Sequence, residues 1–371
     1  MRKKMLWLVV VSFLMAGCAG EVPMPADNNT KGDSTKETKV KRIILITNGV
    51  SPFWDACHAG MLDAQRELKL GDAHLKVVMV VNDGTAAGQI AKLQQFGTQS
   101  DIVAIGVSVI DKENIAIAEE MKKLRDKGIV VVAIDNDLNT KKFADSRYAY
   151  VGSNNIQGGR ELGLCAKIVN PQGGGWVSFV GFTSAQNAIE RVNGFGEGSG
   201  KAFRKLGNMG DAMEPTRARE NVRNAINNRG KELTTLVGIW SYNAPAIVDV
   251  VREKNKRKDF TIVTYDAESG AIKEMEAGMI DAMVVQNPYQ MGYEGVRLMR
   301  ALVEKDQTTL NAMYPNFGQP GGDQFTTDLK VIVPNKNSPV WKEKNRFQKS
   351  TKVLTLEQFK TWLKKYDLTG S

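Results

Sequence analysis

Histidine is scarce in this chain, and its scarcity excludes several kinds of active site. His58 and His74 are the only two histidines among 371 residues, and neither has a second ligand at the spacing of a metal site. No Ser-His or Cys-His pairing is suggested, and no G-x-S-x-G elbow occurs. We therefore predict that the chain is not an enzyme and that it holds no metal and no cofactor.

Cysteine is almost as rare, and the three cysteines form no disulfide or metal-binding pattern. Cys57 and Cys165 fall inside helical patterns and do not have the C-x-x-C spacing. A disulfide between them stays open, but buried free thiols are the commoner role for such residues. Cys18 lies apart, at the end of an apolar run.

The folded body lacks an excess of basic charge, although the net charge of the whole chain is +9. Arg2, Lys3 and Lys4 account for part of the excess, and residues 334–371 carry nine Lys or Arg against three Asp or Glu. The residues between are close to neutral, so we predict no nucleic-acid partner. In the basic C-terminal tail, a solvated helical face is favoured over contact with anionic lipids.

The N-terminus has the layout of a secretory signal. Basic residues precede an apolar run over residues 5–17, which is shorter than the roughly 20 residues of a permanent membrane span. Met15-Ala16-Gly17-Cys18 resembles the bacterial lipobox, in which the cysteine becomes the lipidated first residue of the mature protein. Ordinary signal cleavage near Ala19 is the alternative.

We accordingly predict a lipoprotein signal over residues 1–18 and a flexible tether over residues 19–40. The tether is rich in polar residues and has too few large apolar side chains to fold. The chain is then exported and lipid-anchored to a bacterial membrane, where it faces the periplasm or the cell exterior.

Strand and helix patterns alternate after residue 40, which indicates parallel sheets covered by helices on both faces. The alternation starts again near residue 153, so we predict an α/β protein of two doubly wound parallel-sheet lobes. A single amphipathic helix is predicted in the last segment, over residues 355–365. The predicted strands are 43–46, 74–81, 102–109, 128–134, 148–152, 176–180, 236–240, 260–265 and 282–285. The predicted helices before that segment are 55–68, 86–99, 113–127, 157–169, 185–206, 244–254, 272–278 and 289–303.

Polar and aromatic side chains follow the carboxyl ends of these strands, where ligands bind in open α/β sheets. Planar amide, carboxylate and guanidinium groups can engage adjacent hydroxyls in pairs, and aromatic rings suit the C–H faces of a sugar. Each residue also has an ordinary role to consider, as a helix cap, a turn residue or part of the core. The candidates are Ser51, Phe53, Trp54, Asp135, Asn136, Asn154, Asn155, Arg191, Trp240, Ser241, Asn243, Asp266 and Gln286.

Taken in order, these residues resemble the periplasmic sugar-binding proteins of the ribose-binding type. The resemblance covers residues 41–333 and implies the periplasmic binding protein type I fold, with two lobes joined by a three-crossover hinge. The crossings are expected near Ser153, Gln286–Asn287 and Leu329–Val331. The matching motifs are Ser51-Pro52-Phe53-Trp54, Ile134-Asp135, Ser153-Asn154-Asn155 with Gly158-Gly159, Glu190-Arg191 before Asn193-Gly194-Phe195, Trp240-Ser241-Tyr242-Asn243, Tyr265-Asp266 and Val285-Gln286.

The resemblance also implies roles for the candidate residues. Phe53 and Trp54 would stack on the sugar, together with an aromatic residue of the other lobe. The residues that would hold its hydroxyls are Asp135, Asn155, Arg191, Asp266 and Gln286, with Ser241 where ribose binders usually carry Asn. Ser51, Asn136, Trp240 and Asn243 complete the predicted site. Asn136 replaces the Arg of ribose binders and Trp54 replaces a Phe, so the ligand is a monosaccharide, pentose or hexose, of open identity.

The predicted lobes are residues 41–153 with 287–330, and residues 154–286, followed by a crossover and C-terminal extension over 331–371. The implied function is that of a monomeric solute-binding protein, which captures the sugar between the lobes and delivers it to an ABC permease by hinge closure. A sensory protein that presents a sugar or a furanose-like signal to a membrane receptor is the alternative. A dehydrogenase would need G-x-G-x-x-G after the first strand, and Asn48-Gly49-Val50-Ser51 does not supply it.

Overall fold

The computed structural model describes residues 39–371, which form one compact unit. The predicted signal, Cys18 and nearly all of the predicted tether lie outside the described residues. Within residues 39–371, none of the helices is both long enough and apolar enough to cross a membrane.

The described residues form strands and helices that alternate for most of the chain. The strands are β1 (Lys41–Ile46), β2 (Leu75–Val80), β3 (Ile102–Val107), β4 (Val130–Ile134), β5 (Tyr150–Gly152), β6 (Gly174–Val180), β7 (Phe203–Gly210), β8 (Leu233–Gly238), β9 (Thr261–Tyr265), β10 (Ala282–Val285), β11 (Gln324–Thr326), β12 (Leu329–Val333) and β13 (Thr351–Thr355). The helices are α1 (Pro52–Glu67), α2 (Ala86–Phe96), α3 (Ile115–Asp126), α4 (Asn155–Val169), α5 (Gln186–Ser199), α6 (Pro215–Arg229), α7 (Asn243–Glu253), α8 (Ser269–Glu276), α9 (Pro288–Glu304), α10 (Gln307–Met313), α11 (Pro339–Lys342) and α12 (Leu356–Lys365).

The strands assemble into two sheets. The first has the order β11-β5-β4-β3-β1-β2, and the second has the order β13-β12-β10-β9-β8-β6-β7. All neighbouring strands are parallel except β10 and β12. Two parallel-sheet lobes with alternating strands and helices confirm the predicted fold class.

The chain passes between the two sheets three times. The first passage precedes α4, which packs on α5, and the second precedes α9, which packs on α1. The third lies at Thr327–Asp328, between β11 and β12. The crossing expected near Leu329–Val331 thus lies directly before that range, because Leu329 already pairs with Thr351 in the second sheet.

Strand β1 shows how the sheets place functional residues. The four side chains of Ile43–Ile46 are fully buried, and alternate members pack on opposite faces of the sheet. Ile43 and Leu45 contact the layer that contains Met61 of α1, whereas Ile44 and Ile46 contact the layer that contains Leu93 of α2. Burial on both faces fixes the position of the strand. The loop that follows Ile46 therefore starts from a fixed point at the carboxyl edge of the sheet.

One predicted helix is too long. The helix expected over residues 185–206 ends at Ser199, because Gly200 has a φ of 79°, outside the helical region. Strand β7 then begins inside the predicted helix and ends within residues 207–215, where a strand is expected although the residues give little signal. It lies at the edge of the second sheet with Arg204 and Lys205 exposed, so it lacks the continuous apolar run of a central strand.

The C-terminal segment contributes more than the single helix that was predicted. The helix α12 agrees with the prediction, and Thr355 and Gln358 form a capping box at its start. Strand β13 was not predicted. It pairs with β12 through residues 351–355, so the segment extends the second sheet.

Lys330 is an unusual residue of β12. Its side chain is 6% exposed, its Nζ has no hydrogen-bond partner, and Nζ lies 4.6 Å from the centre of the Trp362 ring. Burial lowers the pKa of Lys330 to about 7; the charge of Lys352 adds to this shift and Asp328 opposes it.

We predict that Lys330→Met raises the free energy of unfolding by about 2 kcal/mol at pH 7. An unfolded lysine has a pKa of about 10.4, so the unfolded chain holds this proton more tightly than the folded chain, and stability rises with pH between about 7 and 10. Methionine carries no charge, so the substitution removes the cost of burying the amine. Urea unfolding at pH 7 and pH 10 measures this cost, with the exposed Lys349→Met as control. An unchanged pH dependence in Lys330→Met would show that the buried amine is not its source.

Candidate functional site

Two aspartates occupy equivalent positions in the two lobes. Asp135 follows β4 and Asp266 follows β9, and both have left-handed backbones, with φ of 69° and 62°. Each backbone N–H donates to the neighbouring strand, from Asp135 to the Val151 carbonyl at 2.9 Å and from Asp266 to the Val284 carbonyl at 2.8 Å. The left-handed region is uncommon outside glycine, and residues held there cluster at functional sites. The same backbone conformation and hydrogen bond therefore direct one carboxyl group in each lobe away from the end of its strand.

Arg191 of α5 is the central cation of the site, and its side chain is 3% exposed. Its Nε donates to Asn155 Oδ1 at 3.0 Å, and its Nη1 donates to the Ile239 carbonyl at 3.2 Å. The guanidinium carbon lies 3.8 Å from the centre of the Tyr265 ring, and Nη1 lies 3.9 Å from Asp266 Oδ2. These contacts fix the direction of a group that retains further N–H donors.

Glycines explain how Arg191 reaches this place. A Cβ on Gly159 of α4 would lie 2.2 Å from the Arg191 carbonyl oxygen, and a Cβ on Gly194 of α5 would lie 2.1 Å from the Ile156 carbonyl oxygen. Helices α4 and α5 therefore touch backbone to backbone, which larger residues at these positions would prevent. Gly159 and Gly194 of these motifs thus serve the packing that positions the guanidinium, whereas Gly158 leaves space for the Tyr265 side chain.

The electrostatics join groups from both lobes. Burial raises the pKa of Asp135 to about 7, while Arg191 opposes the shift and Asp266 adds to it. Burial also raises the pKa of Asp266, against the opposing effects of Arg191 and the hydrogen bond from Gln286. Asp135 follows a strand of the first sheet and the other three residues belong to the second lobe, so the charges that influence Asp135 come from the other lobe.

Two hydrogen bonds orient the carboxyls. Gln286 Nε2 donates to Asp266 Oδ1 at 3.1 Å, and Ser108 Oγ donates to Asp135 Oδ2 at 3.2 Å. Tyr150 supports the same loop by donating from its hydroxyl to the Asp135 carbonyl at 2.8 Å. Ser108 was not among the predicted site residues, although its position directly after β3 was the available signal.

The second lobe adds an aromatic wall. Trp240 is half-buried, its Nε1 donates to Asn187 Oδ1 at 3.3 Å, and its ring meets those of Phe182 and Tyr242 edge to face. Phe182 is 46% exposed. Such a wall combines an apolar surface with a fixed polar edge.

Glu268 is a further residue that the sequence analysis missed. It precedes α8 and accepts a hydrogen bond at 2.7 Å from the Ser241 hydroxyl. Ser241, placed in the site by its strand-end position, therefore has a carboxylate partner 27 residues later in the chain. The sequence holds no local pattern that would link the two.

The first turn of α1 holds three predicted residues. Ser51 caps the helix, with its Oγ accepting from the Phe53 backbone N–H at 3.2 Å. Trp54 is 3% exposed in the core of the first lobe, and its Nε1 donates to Asn48 Oδ1 at 3.2 Å. Phe53 is half-buried and meets Trp54 edge to face at 4.9 Å between ring centres. Phe53 is thus the more accessible of the two aromatics.

Asn243 and Asn136 differ in how freely they can contact a ligand. Asn243 is fully buried, and its side chain accepts from the Trp240 backbone N–H and donates to Asp211 Oδ2. Asn136 is half-buried, and its backbone N–H donates to the Ile134 carbonyl at 2.9 Å. Contact of either asparagine with a ligand stays a prediction.

A direct contact links the two lobes beside the site. Lys112, in the loop after β3, donates to Gln186 Oε1 of α5 at 2.6 Å. Gln186 in turn donates from Nε2 to Glu190 Oε1 at 2.6 Å. A short polar chain therefore runs from the first lobe to the helix that carries Arg191.

Metal-ligand and disulfide chemistry do not mark this site. Across residues 39–371 there is no group of three His, Cys, Asp or Glu side chains that could hold a metal ion. Cys57 and Cys165 are buried free thiols, in agreement with the role favoured from the sequence.

We predict that Arg191→Met lowers the free energy of unfolding by about 3 kcal/mol at pH 8, because it leaves two poorly solvated carboxylates without their cation. Carboxyls with a raised folded-state pKa cost stability above their unfolded pKa of about 3.9, so the loss is smaller at pH 5. Urea unfolding at both pH values measures it.

Arg160→Met is the matched control, since this arginine is on α4 of the same lobe with a side chain that is 49% exposed. An equal loss at pH 5 and pH 8 in Arg191→Met would contradict the electrostatic explanation.

Comparison with a family model identifies the fold. The model described as the periplasmic binding protein domain matches residues 43–307. No curated protein sequence matches the chain.

Solved structures resemble this chain over most of its length. A solute-binding protein of an ABC transporter from Burkholderia graminis, in complex with D-arabinose, is 21% identical with a TM-score of 0.67, covering 82% of this chain and 98% of its own. The corresponding protein of Agrobacterium vitis, bound to α-D-tagatopyranose, is 19% identical with a TM-score of 0.66, covering 83% and 98%. That of Actinobacillus succinogenes, with bound D-allose, is 15% identical with a TM-score of 0.67, covering 81% and 99%. At these identities the likeness shows the fold.

Proposed function

Because the chain belongs to the periplasmic binding protein family, a family of binding proteins and not of enzymes, we propose that it captures a monosaccharide between its lobes. The observation that carries the proposal is that Asp135 and Asp266 end equivalent strands of the two lobes with the same left-handed backbone, and that Arg191 lies beside Asp266, with Nη1 3.9 Å from Oδ2. Two acceptors and one forked donor, contributed by both lobes, suit a small neutral molecule with several hydroxyls.

Each polar group has a defined part in binding. Asp135 and Asp266 accept from sugar hydroxyls, and Arg191 donates to hydroxyl or ring oxygens. Asn155 and Gln286, which already orient Arg191 and Asp266, add donors and acceptors. Hydrogen bonds to charged groups contribute about 1.5 to 3 kcal/mol each.

Aromatic rings supply the apolar contacts of the proposed site. Trp240 of the second lobe and Phe53 of the first face the C–H surfaces of the ring. The remaining predicted contacts are Ser51, Trp54, Asn136, Ser241 and Asn243.

Transport follows from closure of the lobes. The lobes are proposed as residues 41–153 with 287–326, and residues 154–286 with 329–371, because β12 and β13 belong to the second sheet. A ligand held by both favours the closed arrangement, and an ABC permease that binds the closed shape receives the sugar. The D-arabinose, tagatose and allose complexes of the structural relatives support a pentose or hexose as the ligand.

Export and attachment to a membrane complete the proposal. The protein acts as a monomer tethered through lipid on Cys18, and this part rests on the signal-like sequence of residues 1–18 alone.

We predict that one sugar of a panel raises the melting temperature of residues 19–371. The panel is D-arabinose, D-xylose, D-ribose, D-allose, D-glucose, D-galactose and D-tagatose. A ligand at a thousand times its dissociation constant stabilises the folded state by about 4 kcal/mol. Asp135→Asn and Asp266→Asn should lose the rise.

The exposed Asp126→Asn on α3 is the control and should keep the full rise. If the folded protein responds to none of these sugars, or if the two site variants respond as the unmodified protein does, the proposed function is wrong.

We also predict that sugar affinity falls with decreasing pH. Asp135 has a pKa of about 7 in the free protein, and a hydroxyl donor favours its ionised form, so the complex binds fewer protons than the free protein. Affinity at pH 6 should be about tenfold weaker than at pH 8. Isothermal titration calorimetry measures the affinity at both pH values, and the exposed Asp126→Asn should keep the full dependence. Affinity that increases toward low pH would contradict the ionised-acceptor model.

A further inference from the structure

The segment after α12 returns to the loop that carries Asp266. Ser371 donates from its backbone N–H to the Ala267 carbonyl at 3.1 Å, and Ala267 donates back to the Ser371 carbonyl at 2.9 Å. Ala267 lies between Asp266 and Glu268, the two carboxylates of the second lobe's wall. A reciprocal backbone pair therefore holds the residue between them.

The contact is buried and close. Ser371 is 2% exposed and Ala267 is fully buried. A Cβ on Gly370 would lie 2.8 Å from the Ala267 carbonyl oxygen and 2.9 Å from Glu268 Cα. The segment thus lies against the backbone of the loop, with space at this point for glycine only.

The loop depends on this pair for its backbone hydrogen bonds. Both the N–H and the C=O of Ala267 are used by Ser371. Buried backbone groups that lose their partners cost about as much as a lost hydrogen bond each, so removal of the segment would force water into the loop or move it. Asp266, held in the left-handed region, and Glu268, bonded to Ser241, would move with it.

The end of α12, directly before the segment, is braced on the first lobe. Trp362 and Tyr366 lie 6.2 and 4.6 Å from the ring of Tyr289 on α9, measured between ring centres. Tyr289 in turn donates from its hydroxyl to Asp63 on α1 at 2.6 Å. Within the segment, Leu368 packs on the core of the second lobe. The segment therefore starts from a fixed helix end and is packed on the second lobe before it meets the loop.

We propose that residues 367–371 are a positioning element that holds the Asp266–Glu268 loop in its ligand-binding shape. Residues of the segment touch no ligand; they act through the backbone of Ala267. The inference rests on the proposed sugar-binding function, because the loop supplies one of its two aspartates.

Two variants and a matched control test the proposal. Gly370→Ala places a methyl group against the loop backbone, and a chain ending at Tyr366 removes the contact. Gly270→Ala is the control, since Gly270 is in α8 next to the same loop and a Cβ there meets nothing within 4 Å. Isothermal titration with the sugar of the panel that binds most tightly should show about tenfold weaker affinity in the first two variants and none of this loss in the control.

A positioning role is separated from general destabilisation by two further measurements. Amide hydrogen exchange of the ligand-free protein should accelerate at residues 266–268 in both variants, while the core strands of the second lobe exchange as before. In a Glu268→Gln background, the loss caused by Gly370→Ala should shrink, because the altered loop already lacks one of the groups that the segment positions.

Unchanged affinity and unchanged exchange in the chain ending at Tyr366 would overturn the positioning role, as would an equal loss of affinity with and without Glu268→Gln. If the unmodified protein binds none of the sugars, the proposed function fails, and the exchange of residues 266–268 alone decides whether the segment holds the loop.

Discussion

Burial of the Arg191 charge is the constraint on which the site depends. A guanidinium that is almost fully withdrawn from water must keep its partners, and here these are an amide, a backbone carbonyl, an aromatic face and a carboxylate. The requirement extends into the fold, because only glycines at the contact of α4 and α5 bring Arg191 close enough. The packing of α4 on α5 therefore also determines where the Arg191 guanidinium lies in the site.

Both lobes position an aspartate at the end of a strand by the same backbone arrangement. Each ends a central parallel strand with an aspartate in the left-handed region and ties its N–H to the adjacent strand. The raised pKa values of both carboxyls follow from this placement, since each is partly withdrawn from water. In the proposed function, sugar hydroxyls supply the hydrogen bonds that water gives such carboxyls elsewhere.

The sequence predicted the fold class because the central strands carry their own signal. The run of β-branched residues in β1 and β4 identifies buried parallel strands, and topology then brings their polar ends to one edge. Strand β13 has no such run, and its place depends on pairing with β12, which no local pattern reveals.

The positions of the candidate residues could be predicted where strand ends decide them. Asp135 and Asp266 each follow a parallel strand, which the pattern indicates, whereas Arg191 lies on α5 and its place depends on the packing of that helix. The Ser108–Asp135 and Ser241–Glu268 bonds could not be predicted, because they depend on the exact register of residues distant in sequence. The burial of Trp54 depends on how α1 is rotated on its sheet, which spacing alone does not determine.

The position of β11 has a consequence for how the chain folds. This strand closes the first sheet by pairing with β5, so Gln324 meets Tyr150 across more than half of the described chain. Arg147, which is 3% exposed, forms ion pairs with Asp137 and Asp323, and the second of these partners lies 176 residues later in the chain. A growing chain that has not yet reached residue 323 leaves a sheet edge open and a buried cation half-paired. Contacts this distant make folding slow, and they keep the first lobe incomplete until residues 323–326 have been made.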